Sequence, residues 1–450
     1  MVSPIVSLQA PKDVSIEDIE AELRSLWQMQ GSDEDGTPAT RAATFSLIVY
    51  EPDGTQQLLA SLGFYTGPID GIAGPRNEAA IKAAQKAYGL EVTGKTNPEL
   101  LDRLRSEFTK AKAEDKLTLE NKTAPINYTP DSSGAIADEI ASSNPCRIIT
   151  LCPILGEDTG VRAQVSAYCP INKQNKNTLV CCEYITLSGT AEALERIGGI
   201  IAALAIADLP TFVWWKATPT PEHPLFQRLI KSSDTLIFDS SSFVHPEADL
   251  KSVAELLKQE TAIADLNWRR LAPWQELTAA AFDPPERRSA IYEVDKVTID
   301  YERGNQSQAL MFLGWVASRL QWTPVEYIQE GGDYDIRKVK FTDDKQREIQ
   351  AELAAIPTAD WGEVPGDLIS LRLSSTNLDA DCCTVLCSNT TGCMRMEAGG
   401  GSQSCYIEQV TPLSDQKTEG LLAQQLQRWG REMLYEESMA ITSQILQIGD

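Results

Sequence analysis

Four cysteines, Cys382, Cys383, Cys387 and Cys393, lie in the stretch DCCTVLCSNTTGCMRM, residues 381–396 of a 450-residue chain. Thiols at this density suit a metal site, a disulfide clasp, a nucleophile or apolar packing. Zinc sites draw on paired Cys-x-x-Cys or Cys-x-x-His knuckles. Here the spacing is irregular and no histidine lies nearby, so a metal centre is not expected. If CCTVLCS and CMRMEA are strands joined by Ser-Asn-Thr-Thr-Gly, Cys387 and Cys393 oppose one another across a hairpin. Opposed Cβ atoms in a non-hydrogen-bonded antiparallel pair are roughly 4.5–5.5 Å apart, near disulfide reach. Alternation puts Cys383 and Cys387 on one face and Cys382 on the other. Packing accounts for the same residues, since free cysteine is among the most buried types. Both readings stand, a redox-responsive pair and core thiols. Cys181 and Cys182 in LVCCEYITL repeat the ambiguity.

The chain has two histidines, His223 and His245, both in proline-containing loops and neither beside a recognisable nucleophile. A hydrolytic triad needs a histidine that touches Ser or Cys and is oriented by a carboxylate. Gly198-Gly199 falls inside a helical stretch, and Gly399-Gly400-Gly401 reads as a hairpin turn, so neither is a phosphate-cradling loop. No catalytic residue, cofactor or metal ligand is assigned. The remaining constellation is aromatic and basic: Trp214 and Trp215 in DLPTFVWWKA, then Trp268, Arg269, Arg270 and Trp274 in DLNWRRLAPWQEL. Trp and Arg dominate interface hot spots, which makes these six residues candidates for a partner surface. The alternative is internal packing, with an arginine held by a carboxylate such as Asp265.

The elements that position these residues follow from periodicity and punctuation. A helix is expected over residues 13–29, with Ser15 and Asp18 as capping candidates, followed by a strand in ATFSLIVY. Residues 51–108 read as short helices separated by Gly67-Pro68, Gly74-Pro75 and Gly94, and 109–135 as a linker. Strand-like CRIITLCP, VRAQVSAYC, LVCCEYITL, TFVWWKA and DTLIFDSS alternate with helical stretches over 136–283, which predicts an α/β domain with a helix-covered mixed sheet. Pro284-Pro285 marks a boundary. Residues 284–450 carry a run of strands and end in a long helix from about 414 to 447, an α+β domain. The fold class is thus α/β and α+β multidomain, with residues 1–50 packing on the central domain. Lys plus Arg number 40 against 64 Asp plus Glu, a formal charge of -24. Such an acidic chain repels phosphate backbones and anionic lipids, so nucleic acid and membrane are not expected partners. With no secretion signal and no apolar run of 18 residues, a cytoplasmic protein with reduced thiols is expected.

Two resemblances add to this reading. LGFYTGPIDGIAGPRNEAAIKAAQKAYGL, within residues 56–104, resembles the small peptidoglycan-binding helical module with its Asp-Gly-x-x-Gly core. It departs from that module at Asn77 and Ala84. A cell-wall-binding protein is accordingly the alternative function. DLPTFVWWKA, DTLIFDSSSF and ADLNWRRLAPWQEL, in this order, resemble the glucose-6-phosphate dehydrogenase assembly protein (OpcA) family in its cyanobacterial form. That resemblance implies a non-catalytic partner of glucose-6-phosphate dehydrogenase, promoting its assembly and activity and so controlling the oxidative pentose phosphate pathway. It also implies thioredoxin-linked redox control through cysteines, with thioredoxin as a second partner.

Overall fold

Short β-branched and aromatic runs up to Asp265 assemble into a nine-stranded sheet, and those from Lys296 onward into an eight-stranded one. The computed structural model describes residues 5–30, 39–41, 43–52, 54–65, 75–113, 140, 145–155, 157–170, 179–259, 262–285, 287–357, 364, 366–377, 381–388, 393–400, 407–412 and 418–449. Most of the expected linker, the Asp-Gly-x-x-Gly loop and the tip of the cysteine hairpin lie outside them. Two compact units are formed. The first comprises Met1–Phe238, Glu260–Ala264 and Thr418–Arg431; the second comprises Asp239–Gln259, Asp265–Lys417 and Glu432–Asp450. The chain therefore passes between units several times, and not once near residue 283 as the paired prolines suggested.

The first unit's strands are β1 (Ile5–Val14), β2 (Ala39–Arg41), β3 (Ser46–Tyr50), β4 (Arg147–Pro153), β5 (Arg162–Pro170), β6 (Leu179–Gly189), β7 (Thr211–Trp215), β8 (Thr235–Phe238) and β9 (Ala262–Asp265). Their order is β1-β5-β6-β4-β3-β7-β8-β9, with β2 added on β6. Strands β6, β4, β3, β7 and β8 run parallel, and β1 and β5 are antiparallel additions at one edge. Numbered by chain order, β6-β4-β3-β7-β8-β9 reads 3-2-1-4-5-6, the order of doubly wound dinucleotide-binding domains. Both faces of β3 and β7 are buried, which is why they read as unbroken apolar runs.

Helix α1 (Ile19–Gln30) is entered by a 3-10 turn over Ile16–Asp18, capped by Ser15, whose hydroxyl accepts the Asp18 N–H at 3.2 Å. Helices α2 (Thr55–Ser61), α3 (Pro75–Ala87) and α4 (Pro98–Ala113) occupy the connection from β3 to β4. The helical stretch around Gly198-Gly199 is two pieces, α5 (Ala191–Arg196) and α6 (Gly198–Ala203), followed by α7 (Pro224–Lys231).

In the second unit α8 (Pro246–Leu256), α9 (Leu266–Arg270), α10 (Ala272–Phe282), α11 (Ser307–Arg319) and α13 (Met433–Ile448) accompany strands β10 to β17; α12 (Thr418–Gln425) belongs to the first unit. These strands are β10 (Lys296–Glu302), β11 (Thr323–Gly331), β12 (Ile336–Thr342), β13 (Glu348–Ile356), β14 (Leu368–Ser374), β15 (Asp381–Ser388), β16 (Cys393–Gly400) and β17 (Ile407–Pro412). Their order is β11-β12-β13-β10-β14-β15-β16-β17. The expected long terminal helix is thus broken between α12 and α13. Gly430 at φ +93° supplies a turn there that few other residues adopt.

Candidate functional site

In a doubly wound sheet small ligands bind outside the carboxyl ends of the strands, at the point where strand order reverses. Here that point lies between β3 and β7, whose last residues, Tyr50 and Trp215, are register partners. Their rings stack at 3.7 Å with an interplanar angle of 4°, and both are fully buried. His223 sits edge-on to both rings, its Nε2 3.4 Å from Tyr50 Oη, and Phe226 closes on Trp215 at 4.8 Å. The next residue on each strand forms the Glu51–Lys216 ion pair, with Lys216 Nζ 4.9 Å from the Trp214 ring. At the end of β4, burial and the nearby Glu51 charge push the Cys152 thiol up to about 11. The sequence after β3 reads Glu-Pro-Asp-Gly-Thr, with one glycine where a dinucleotide cradle uses several. Aromatic rings are thus stacked and buried at this point of the sheet. Among the described residues the titratable groups here include the Cys152 thiol, the buried His223 and the Glu51–Lys216 ion pair.

The aromatic-basic stretch is not surface-directed either. Asp265 caps α9, its Oδ1 accepting the Asn267 N–H at 2.9 Å and the Ser240 N–H at 3.0 Å. Arg270 Nη1 and Nη2 donate to the two carboxylate oxygens of Asp239, each at 2.8 Å, and the guanidinium has no exposure. Gln308 Nε2 bridges Asn267 Oδ1 at 2.8 Å and Asp367 Oδ1 at 2.5 Å, while Asn305 Nδ2 donates to the Ser240 carbonyl at 2.9 Å. Three carboxylates thus share one guanidinium inside the second unit. Burial opposes charge on Asp239, but Arg270 beside it holds that carboxyl below its ordinary value. Burial, reinforced by the Asp239 charge, pushes Asp265 up to about 7, and burial pushes Asp367 up to about 6. Trp268 is 2% exposed, donates from Nε1 to Glu432 Oε1 at 2.9 Å and packs on Tyr435 at 5.5 Å. Arg269 lies 3.6 Å from Glu432.

These positions correct the surface expectation. Trp214, Trp215, Trp268, Trp274 and Arg270 are core residues, and Arg269 is nearly covered. Offering them to a partner would cost the hydrogen bonds and packing they make inside their own fold. Sequence reading proposed a carboxylate for the arginine, and the carboxylate is Asp239, with Asp265 capping the helix instead. Asp239, Asn305, Gln308 and Asp367 were not singled out. The one local signal was Asp239-Ser-Ser-Ser, a capping sequence directly after a buried strand.

Among the cysteines, Cys181 is disulfide-bonded. Cys182 beside it is a buried thiol, as are Cys146 and Cys383. The Cys146 N–H donates to Cys182 Sγ at 3.5 Å. The hydrogen bond shared by their side chains, with burial, drives the Cys146 thiol well up, whereas Cys182, which accepts, is lowered. In the hairpin the register pairs Cys387 with Met394 and Ser388 with Cys393. The expected facing pair is therefore out by one residue: β15 runs on through Ser388, leaving four residues, not five, in the connection. The side chains of Cys382, Cys387 and Cys393 lie outside the described set. Among the described residues no group of three or more His, Cys, Asp or Glu side chains is placed to hold a metal ion. No helix there is long and apolar enough to cross a membrane.

In the helical module the departures from the peptidoglycan-binding pattern fill the module's own core. Asn77 is 2% exposed, and Ala84 and Gln85 are fully buried. Gln85 Oε1 accepts the Thr93 and Gly94 N–H groups at 3.0 and 2.9 Å, fixing the turn before α4.

Comparison with known proteins matches residues 137–255 to a model described as "Glucose-6-phosphate dehydrogenase subunit N-terminal domain" and 261–439 to the corresponding C-terminal domain. Residues 55–104 match a "Putative peptidoglycan binding domain". Among curated relatives, a "Putative OxPP cycle protein OpcA" of Synechocystis sp. is 62% identical over 99% of this chain and 94% of its own length. Proteins of the same description from Nostoc punctiforme and Synechococcus elongatus are 58% and 52% identical, covering 96% and 97% of their own lengths.

Proposed function

We propose, from the premise that this chain belongs to the OpcA family of glucose-6-phosphate dehydrogenase subunits, that it is a non-catalytic assembly factor and allosteric activator of that dehydrogenase. The observation that carries the reading is the 62% identity, extending over nearly the whole of both chains. The buried Tyr50–Trp215 stack at the switch point supports the non-catalytic part, because a cofactor seated on those strand ends would meet packed rings. The mechanism is differential binding. The chain binds the active conformation or oligomer of the dehydrogenase more tightly than the inactive one, and the population shifts by that difference in affinity. It thereby controls entry to the oxidative pentose phosphate pathway, and the working compartment is the cytoplasm.

Thiol state is the regulatory part of the proposal, with a thioredoxin-class dithiol as the reductant. The residues it draws on are the bonded Cys181 and the buried thiols of Cys182 and Cys146. The test is co-purification and activity. Dehydrogenase assayed with and without the chain, after oxidation and after dithiol reduction, is expected to form a complex and gain activity to an extent set by thiol state. A chain that neither binds the dehydrogenase nor changes its rate overturns the function. Equal activation in both redox states removes only the regulatory part. The alternative, cell-wall binding, draws on the match over residues 55–104. Retention on purified peptidoglycan would favour it.

A further inference from the structure

We infer that a cleft in the first unit, at the amino-terminal ends of its parallel strands, is the docking site for a lysine- or arginine-bearing segment of the dehydrogenase; this rests on the function proposed above. The cleft encloses about 790 Å3, and its walls include Asp208, Pro210, Phe212, Asp234, Trp429 and Arg431. Strands β3, β7, β8 and β9 begin at Ser46, Thr211, Thr235 and Ala262, and the lining residues contributed by this part of the chain sit at or close to those starts. Small ligands of doubly wound sheets bind at the other edge, where Tyr50 and Trp215 stack. An open cleft on the amino edge suits a protein segment.

Composition and charge specify the occupant. Trp429 is 66% exposed, in contrast to the tryptophans the sequence pointed to, which are at most 2% exposed. Trp and Arg are the side chains that most often anchor interfaces, and Trp429 and Arg431 flank a glycine turn here. Among the described lining residues two carboxylates, Asp208 and Asp234, stand against the guanidinium of Arg431, on a chain of net charge -24. Asp234 is fixed by accepting the Thr211 N–H at 2.8 Å. Asp208 holds a left-handed backbone at φ +64°. The lining thus offers a cation both carboxylate and indole, and both attract it.

The test uses the full chain with purified dehydrogenase and three variants. Trp429→Ala removes the ring from an exposed position. Asp208→Asn removes the charge with a residue that tolerates the left-handed backbone. Tyr292→Ala, at 67% exposure in the second unit, is the control. Each variant is first shown to unfold at the wild-type temperature. Trp429→Ala is expected to weaken the complex by about tenfold or more, as truncation of an interface anchor does. Asp208→Asn is expected to weaken it severalfold at low salt and little at high salt, with Tyr292→Ala unchanged. Wild-type-like binding by Trp429→Ala overturns the inference while leaving the proposed function intact, whereas a wild-type chain that does not bind removes both. If Trp429→Ala instead dissociates a homo-oligomer in sedimentation without altering dehydrogenase binding, the cleft holds a second copy and the inference falls.

Discussion

Asp265 shows how a single side chain carries two opposed duties. Its Oδ1 caps α9, while its Oδ2 is buried with no hydrogen-bond partner among the described residues. Burial and the neighbouring Asp239 raise its pKa to about 7, against about 3.9 in the unfolded chain. Between those values the native state holds a proton that the unfolded state has lost. Stability therefore falls as pH rises through that window, by up to about 1.4 kcal/mol per pH unit for a single group. Asp265→Asn keeps an acceptor for the two N–H groups and abolishes the titration. Its stability relative to wild type is expected to increase from pH 5 to pH 7.5, measured by urea unfolding. An unchanged pH slope would mean that Asp265 is ionised throughout. Trp268 makes the complementary case. Trp268→Ala deletes a buried ring that also bonds Glu432, and a loss of about 3–5 kcal/mol is expected. Lost dehydrogenase binding by that variant would then report unfolding, so calorimetry has to precede any binding assay.

Among the elements, α11 and α13 approach closely because Gly314 has no side chain. A Cβ there would lie 2.4 Å from Thr442 Oγ1 and 2.5 Å from the Ser438 carbonyl oxygen. The closeness lets Ser438 Oγ donate to the Met311 carbonyl at 2.6 Å and Thr442 Oγ1 to the Leu310 carbonyl at 3.2 Å. Gly314→Ala must push the helices apart, with an expected cost of about 1–3 kcal/mol read from the urea midpoint. A neutral result would mean that the crossing is looser. Elements of this kind were legible in sequence to an uneven degree. Strands β4 to β8 were, because they are short β-branched or aromatic runs between punctuated helices. Strand β13, EIQAELAAI, was not singled out, since its Glu, Gln and Ala are helix formers; pairing with β12 on one side and β10 on the other overrides them. The 3-2-1-4-5-6 order was equally invisible, because alternation predicts a sheet and says nothing of neighbour order. In the hairpin, extension of β15 by a single residue changed which residues oppose one another, so Cys387 meets Met394 and not Cys393. The polar cluster around Arg270 escaped for a different reason. Its members, Asp239, Asn267, Gln308 and Asp367, come from distant parts of the chain, and local pattern reached only Asp265 and Arg270.

For the molecule as a whole, net charge decides how partners meet. A chain of -24 sets up a long-range field that steers cations in and holds anions off. The dehydrogenase segment proposed for the Trp429 cleft is cationic, so steering and local pairing act in the same direction. Raising ionic strength from about 0.01 M to about 0.15 M shortens the Debye length from about 30 Å to about 8 Å. The association rate with dehydrogenase is expected to fall severalfold over that interval while dissociation changes less, because screening acts on encounter and desolvated contacts are screened weakly. Stopped-flow measurement separates the two rates. An association rate that rises with salt would show that repulsion between two acidic surfaces governs encounter. The partner's cationic segment would then contribute too little to the approach for charge to have selected the cleft.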